Sequence, residues 1–211
     1  LGGAEMWIRA STELVRERLL DRLEVDAALR VVRGPAGAGK TSLLAEWSRR
    51  RATPGLWLSV IPEMSRTDLW RAVARRAARA GLEAFEAALG PAELAPEDVP
   101  GRLADAFLAV PGEVVVVIDD YQDVTDAAVH EDVLALLRLC PNLSVAVATS
   151  TVSPLEAAAV GRQRGRAGLT AGVEQLVKVL EAAQYARPPH KKRGAPGRLF
   201  SVQGTAITLP E

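Results

Sequence analysis

The chain has 211 residues, of which 48% are apolar and 25% charged, and its 26 basic and 26 acidic residues cancel to a formal net charge of zero. This length suits one ordinary domain with an appendage or two small domains, and the apolar content excludes a wholly disordered chain. The single cysteine, Cys140, excludes an intrachain disulfide and a cysteine-based zinc site, and no apolar stretch reaches the roughly 18 residues of a membrane span.

Helical and strand patterns alternate through the first 80 residues. Apolar residues recur at helical spacing in some segments, and short β-branched runs stand between them. The patterns predict, in chain order, a helix at 11–23, a strand at 29–32, a glycine-rich turn at 34–39, a helix from about 40, a strand at 55–60 and a helix at 67–80.

The strongest strand signal lies in the middle of the chain. Residues 114–118 read Val-Val-Val-Val-Ile, and an unalternated β-branched run is typical of a parallel strand buried on both faces. A helix is predicted at 102–110 before it, and a helix at 126–139 and a strand at 143–148 after it. This alternation predicts an α/β fold, a parallel sheet flanked by helices, over residues 1–160.

The remainder of the chain, from residue 161, is first basic and then has the alternating pattern of strands. Residues 161–198 hold nine basic and two acidic residues, a net charge of +7 that leaves −7 on the rest, and we expect a basic helix at 171–185 followed by a Pro/Gly linker. A solvated linker and a contact with the phosphate backbone of DNA both explain this charge. Residues 199–211 have the pattern of a β-hairpin.

Residues 34–41 match the phosphate-loop (Walker A) pattern G-x-x-x-x-G-K-[ST] in full. Glycines let backbone N–H groups turn toward an anion, and the helix that follows adds its positive end. Lys40 is the predicted ligand of the β- and γ-phosphates and Thr41 of Mg²⁺. The predicted nucleotide-binding residues are Gly34, Pro35, Ala36, Gly37, Ala38, Gly39, Lys40, Thr41 and Ser42.

Two aspartates follow the buried run of valines. The carboxyl ends of parallel strands face ligands, so we expect Asp119 to bind Mg²⁺ and Asp120 to orient or deprotonate a water attacking the γ-phosphate. The predicted catalytic residues are Asp120 and Lys40. The alternative is that both aspartates cap a strand-to-helix turn. No Asn-Lys-x-Asp motif is present, so ATP is the expected nucleotide rather than GTP.

A combination of motifs resembles one known family. It consists of residues 16–20, the phosphate loop with residues 42–47, residues 57–59, residues 118–122 and His130. Over residues 12–155 these resemble the nucleotide-binding domain of large LuxR-type transcriptional regulators related to the maltose-regulon activator, which are STAND-class ATPases. The resemblance implies a P-loop sheet in which the strands of Asp119 and of residues 144–148 flank the phosphate-loop strand.

The same resemblance implies a cytoplasmic switch that binds ATP and Mg²⁺, self-associates, hydrolyses slowly and acts with a DNA-binding domain mostly absent from this chain. The family usually carries a γ-phosphate-sensing arginine where Thr151 stands, so turnover is expected to be weak or lost. The hairpin at 199–209 resembles the start of a winged-helix domain or serves as a fifth sheet strand.

Two other functions fit the phosphate loop. One is a P-loop kinase of small metabolites, in which Arg162, Arg164 and Arg166 form a lid over the transferred phosphate. The other is a nucleotide-binding interaction module without hydrolysis, which the presence of Thr151 favours. Phosphate release measured with and without an acceptor separates these functions from a slow ATPase switch.

Overall fold

The computed structural model describes residues 16–24, 26–53, 55–88, 98–156 and 176–180. Its strands are β1 (Leu29–Arg33), β2 (Gly55–Ser59), β3 (Val114–Asp119), β4 (Leu143–Thr149) and β5 (Leu176–Leu180). Its helices are α1 (residues 16–23), α2 (Lys40–Arg50), α3 (Arg66–Arg79), α4 (Ala84–Ala88), α5 (Val99–Leu108) and α6 (Ala127–Leu139). A single 3₁₀ turn at Tyr121–Asp123 links β3 to α6. Within the described part of the first 156 residues, the predicted helices and strands are therefore confirmed, with small differences at their ends, and residues 11–15 of the first predicted helix lie outside that part.

The five strands form one parallel sheet in the order β2-β3-β4-β1-β5. Every residue of β3 and β4 is buried, as the unalternated apolar runs predict for central strands. In β2 the buried positions alternate with partly exposed ones, which fits its place at an edge of the sheet. The α/β fold with a parallel sheet flanked by helices is confirmed.

The position of β4 corrects one expectation. The resemblance placed the Asp119 strand directly beside the phosphate-loop strand, whereas β4 lies between β1 and β3 and hydrogen bonds to both. Val145 of β4 is level with Leu29 on one side and with Val116 on the other. Since neighbouring strands lie about 4.8 Å apart, β3 and β1 are separated by about 10 Å.

The position of β5 corrects a second expectation. Residues 176–180 form a strand parallel to β1, whereas the sequence predicted a helix over 171–185. The Leu-Val-Lys-Val-Leu sequence alternates and is β-branched, and the free edge of β1 supplies the pairing that makes a strand. The sheet thus includes residues beyond 160, and β5 is the fifth strand among the described residues. The predicted hairpin at 199–211, the winged-helix start and the rest of the 161–198 linker lie outside the described residues.

Two apolar layers cover the two faces of the sheet. The helices α1 and α2 pack on one face, where the buried apolar residues are Leu20, Leu23, Val32, Leu43, Leu44, Trp47, Val115, Val117, Ala146 and Ala148. The helices α3, α5 and α6 pack on the other face, against strand residues such as Val114, Val116 and Ile118. Successive residues of β3 therefore point to opposite layers, and both layers are apolar.

Local sequence signals set the helix starts. The Ser65 hydroxyl accepts a hydrogen bond from the Asp68 N–H at 3.1 Å and caps α3, and the Asp126 carboxylate accepts one from the Ala128 N–H at 2.9 Å and caps α6. Cys140 ends α6 and is fully buried, as expected of a small apolar side chain. Of the helices in the described ranges, none combines the length and the apolar character needed to cross a bilayer.

Candidate nucleotide-binding site

The phosphate loop joins the carboxyl end of β1 to the start of α2. Gly37 and Gly39 have φ values of 78° and 81°, in the left-handed region where any residue with a Cβ is strained. Gly39 is the N-cap of α2 and has no side chain that could cap the helix. The first N–H groups of α2 are therefore available to an anion, and the helix dipole favours negative charge there.

Lys40 lies over this loop. Its side chain is nearly buried, and its Nζ donates to the carbonyl oxygens of Gly34 at 2.9 Å and Pro35 at 3.1 Å. These bonds use two of the three ammonium donors and hold the charge against the loop. Thr41 and Ser42, which follow in the first turn of α2, are exposed. The predicted binding residues thus form one continuous loop and helix start at the carboxyl edge of the sheet.

Asp119 is the last residue of β3 and is only 3% exposed. Its Oδ1 accepts a hydrogen bond from the Asp120 N–H at 3.0 Å, and no basic side chain within the described residues forms an ion pair with it. A buried carboxylate without a neighbouring cation is costly, so this side chain fits a hard divalent cation. The described ranges contain no cluster of three or more His, Cys, Asp or Glu residues that could hold a metal unaided.

Asp120 departs from ordinary backbone geometry. Its φ of 56° and ψ of 39° lie in the left-handed region, which aspartate tolerates better than most residues that carry a Cβ. This conformation ends β3 and turns the chain into the 3₁₀ turn. The two aspartates consequently have different environments: Asp119 is buried within the sheet, whereas Asp120 is half-buried at the carboxyl edge.

A contact between β1 and β4 fixes the start of the phosphate loop. The Gly34 N–H donates to the Thr149 carbonyl oxygen at 3.1 Å, and Arg33 is level with Thr149 in the sheet register. Since Ile118 is level with Val147, the carboxyl ends of β1, β4 and β3 reach the same edge. Lys40, Thr41, Asp119 and Asp120 therefore belong to elements that meet at one side of the sheet, as the sequence predicted.

The residues at the end of β4 form a tight turn. The Thr149 hydroxyl accepts a hydrogen bond from the Thr151 N–H at 3.3 Å and donates to the Thr151 carbonyl oxygen at 3.2 Å. Thr151, which stands where the resemblance implies an arginine, is exposed and neutral. The backbone of Thr151 therefore stabilises this turn, a role that the sequence did not predict.

Gln122 belongs to the site, although only its place in the 118–122 motif pointed to it in the sequence. Its Nε2 donates to Asp120 Oδ1 at 3.2 Å, and its Oε1 accepts from the Ser150 N–H at 3.0 Å. The contact with Ser150, 28 residues further along the chain, has no signal in the sequence. Gln122 links the ends of β3 and β4.

His130 makes a structural contact beside the two aspartates. Its Nδ1 lies 2.7 Å from the Tyr121 hydroxyl oxygen, which joins α6 to the turn that follows the aspartates. Burial lowers the pKa of the His130 imidazole below its usual value and raises the pKa of the Tyr121 hydroxyl above its usual value. The pair is therefore a neutral hydrogen bond at pH 7 that holds the turn against the helix.

Comparisons with known proteins agree with this geometry. The family model described as an AAA domain matches residues 23–154, well over half of the chain. The matched range begins in α1, runs through the phosphate loop and both aspartates, and ends after β4. It therefore contains every residue of the predicted site.

The sequence is also similar to curated transcriptional regulators. It is 30% identical over 159 residues to the HTH-type transcriptional regulator MalT of Yersinia enterocolitica and 29% identical over 168 residues to that of Vibrio cholerae. The matches cover 70% and 71% of this chain but only 17% and 18% of the two regulators. The chain thus corresponds to less than a fifth of the length of these relatives.

Solved structures of low sequence identity share the fold. A STAND protein of Pyrococcus horikoshii with a tetratricopeptide repeat sensor aligns with a TM-score of 0.52 at 19% identity, over 77% of this chain and 22% of that one. A Walker-type ATPase of Pyrococcus abyssi aligns with a TM-score of 0.50 at 20% identity, over 78% and 53%. With the phosphate loop, the parallel sheet and the family match taken together, the chain belongs to the AAA domain family of P-loop ATPases.

Proposed function

We propose that this chain is the ATP-binding switch domain of a cytoplasmic transcriptional regulator similar to MalT. It binds ATP with Mg²⁺, hydrolyses it slowly and self-associates in the ATP-bound state. The observation that carries the proposal is the juxtaposition of the phosphate loop, with its nearly buried Lys40, and the carboxylates of Asp119 and Asp120 at one edge of the sheet. The similarity of the sequence to MalT regulators supports the regulatory context.

Each residue of the site has a defined task in this proposal. The N–H groups of the phosphate loop and of the first turn of α2 bind the phosphates, and Lys40 exchanges its bonds to Gly34 and Pro35 for phosphate oxygens. Thr41 and Asp119 would hold Mg²⁺, which supplies positive charge against the phosphates when it is bound. Asp120 accepts hydrogen bonds from the attacking water and orients it.

One feature supports slow rather than fast turnover. Thr151 is neutral, so it adds no positive charge to stabilise the transferring phosphoryl group where the resemblance implies an arginine. A slow reaction suits a switch, because the lifetime of the ATP state then sets the duration of the signal.

The partners follow from the regulatory context. The relatives are named as HTH-type regulators, and the chain spans less than a fifth of their length, so we place the DNA-binding domain in sequence beyond the matched region. The net charge of +7 on residues 161–198 favours phosphate contacts that support such a domain. DNA affinity of this chain alone should be weak, independent of sequence and lost near physiological salt.

Three measurements on the 211-residue chain test the proposal. Titration with a fluorescent ATP analogue, with and without Mg²⁺, should give Mg²⁺-dependent binding, and a phosphate-release assay should give slow turnover. Light scattering should give a larger mass with a non-hydrolysable ATP analogue than with ADP. Lack of nucleotide binding would contradict the proposal as a whole.

The same assays separate the alternatives. Phosphate release that requires an added small-molecule acceptor would indicate the kinase, whose predicted lid arginines lie outside the described residues. Tight binding without release would indicate the interaction module, for which Thr151 is the supporting observation.

A further inference from the structure

We propose that Gln122 is a positioning residue for hydrolysis: it holds the Asp120 carboxylate in a fixed place relative to the phosphate loop. This inference rests on the ATPase activity proposed above and goes beyond it, because Gln122 belongs to neither the phosphate loop nor the pair of aspartates. Three observations carry it: the orientation of the Gln122 amide, the contacts beyond Ser150 and the backbone conformation of Asp120.

The orientation of the Gln122 amide is fixed by its partners. The Ser150 N–H can only donate, so the group that faces it at 3.0 Å must be the amide oxygen. The amide NH₂ group consequently faces Asp120 Oδ1 at 3.2 Å and Asp123 Oδ2 at 3.5 Å, both of which accept hydrogen bonds. No flipped amide satisfies these three groups, so each atom of the Gln122 side chain has one possible role.

The contacts extend from Gln122 to the phosphate loop. Ser150 follows Thr149, whose carbonyl oxygen accepts the hydrogen bond of the Gly34 N–H at 3.1 Å. The path from Asp120 through Gln122 to the first residue of the loop therefore contains three hydrogen bonds and one peptide linkage. Because β4 lies between β3 and β1, these contacts across the end of β4 connect the aspartates to the phosphate loop.

Asp120 needs such a restraint. Its left-handed backbone places it in a turn rather than in a strand, and its side chain is half-buried with two rotatable bonds. A carboxylate that orients water must stay within hydrogen-bond reach of it, and a displacement of about 1 Å can cost about 100-fold in rate. A neutral amide donor fixes the carboxylate and leaves its charge available.

Two substitutions separate positioning from mere structural support. Gln122→Met keeps the length of the side chain and removes all three of its hydrogen bonds. Gln122→Glu keeps an oxygen that can accept from the Ser150 N–H but removes the donor to Asp120 and brings a like charge beside it. Asp123→Asn is the matched control, because it removes a neighbouring carboxylate and leaves the bond between Gln122 and Asp120 in place.

We expect both Gln122 variants to lower kcat at least 10-fold. The Kd of Gln122→Met for ATP, measured by titration, should stay within threefold of the wild-type value, and Asp123→Asn should keep the wild-type kcat. This combination distinguishes a residue that positions the carboxylate from one that only stabilises the turn.

Three results would overturn the inference in distinguishable ways. If Asp120→Asn loses hydrolysis but Gln122→Met keeps the wild-type kcat, Gln122 does not position Asp120 and the proposed function stands. If kcat falls in Gln122→Met but not in Gln122→Glu, the bond to Ser150 is what matters and the role is structural. If the wild-type chain neither binds nor hydrolyses ATP, the proposed function fails and this inference fails with it.

Discussion

Arg66 at the start of α3 and Asp132 in the middle of α6 form a bidentate ion pair. The Arg66 Nε donates to Asp132 Oδ2 at 2.6 Å, and a second guanidinium nitrogen donates to Oδ1 at 2.7 Å. The Trp70 indole N–H also donates to Oδ2, at 2.8 Å. Asp132 is only 3% exposed, so a buried carboxylate joins two of the helices, α3 and α6, that cover one face of the sheet.

Loss of this carboxylate should destabilise the domain. Asp132→Ala removes the carboxylate to which both Arg66 and the Trp70 N–H donate, and breaking a buried ion pair in this way costs about 3–5 kcal/mol of unfolding free energy. Urea unfolding followed by tryptophan fluorescence measures the loss. Glu131→Ala removes an exposed carboxylate from the same helix and should change the stability by less than about 0.5 kcal/mol. Equal effects of the two variants would contradict the structural role of Asp132.

Lys40→Ala should weaken nucleotide binding without unfolding the chain. The side chain bonds only to loop carbonyl oxygens, so its loss removes a charged donor to the phosphates and no core contact. A hydrogen bond to a charged group contributes about 1.5–3 kcal/mol, so the Kd for ATP should rise about 10- to 150-fold. Arg49→Ala removes a positive charge from the exposed end of the same helix and should leave the Kd unchanged. An unaltered ATP affinity in Lys40→Ala would be incompatible with the proposed site.

The two aspartates should respond differently to loss of charge. Asp119→Asn removes a buried anion and should raise the Mg²⁺ concentration needed for nucleotide binding. Asp120→Asn should leave Mg²⁺-dependent binding intact and lower hydrolysis about 100-fold or more, the usual contribution of a positioned general base. Mg²⁺ titrations of nucleotide binding and phosphate-release assays measure the two effects. Identical profiles for both variants would refute the separation of roles.

Acid should weaken the fold through His130. Burial lowers the pKa of the folded imidazole, and the nearby Asp126 opposes this to a lesser extent. The unfolded chain therefore binds a proton more readily, so this contribution to stability is present above the ordinary histidine pKa of about 6.5 and is lost as the pH falls below it. His130→Asn cannot titrate, so its unfolding midpoint should fall less than that of the wild type between pH 7.5 and 5.5. A larger fall in the variant would disprove this assignment.

Local sequence signals predicted where the residues of the candidate site lie in the fold. The phosphate loop is one contiguous motif, and the two aspartates follow a run of valines whose chemistry indicates burial on both faces. These features depend on neighbours along the chain, so no knowledge of the packing was needed.

Strand order and contacts between residues distant in the chain could not be predicted from the sequence. The insertion of β4 between β1 and β3 depends on which buried strands pair, and the burial pattern of a strand does not specify its neighbours. The strand at 176–180 has helix-compatible residues and becomes a strand through pairing with β1. The contact between Gln122 and Ser150 depends on the pairing of β3 with β4, so the sequence does not show it.

The pairing of β5 with β1 has a practical consequence for recombinant work. The family match ends at residue 154, but the neighbour that completes the hydrogen bonding of β1 comes from residues 176–180. A truncated polypeptide that stops at the family boundary would leave the five-residue backbone of β1 as an unpaired edge beside the phosphate loop. Such an edge recruits strands from other molecules, so the truncated form should aggregate, and the longer chain is the one to express and crystallise.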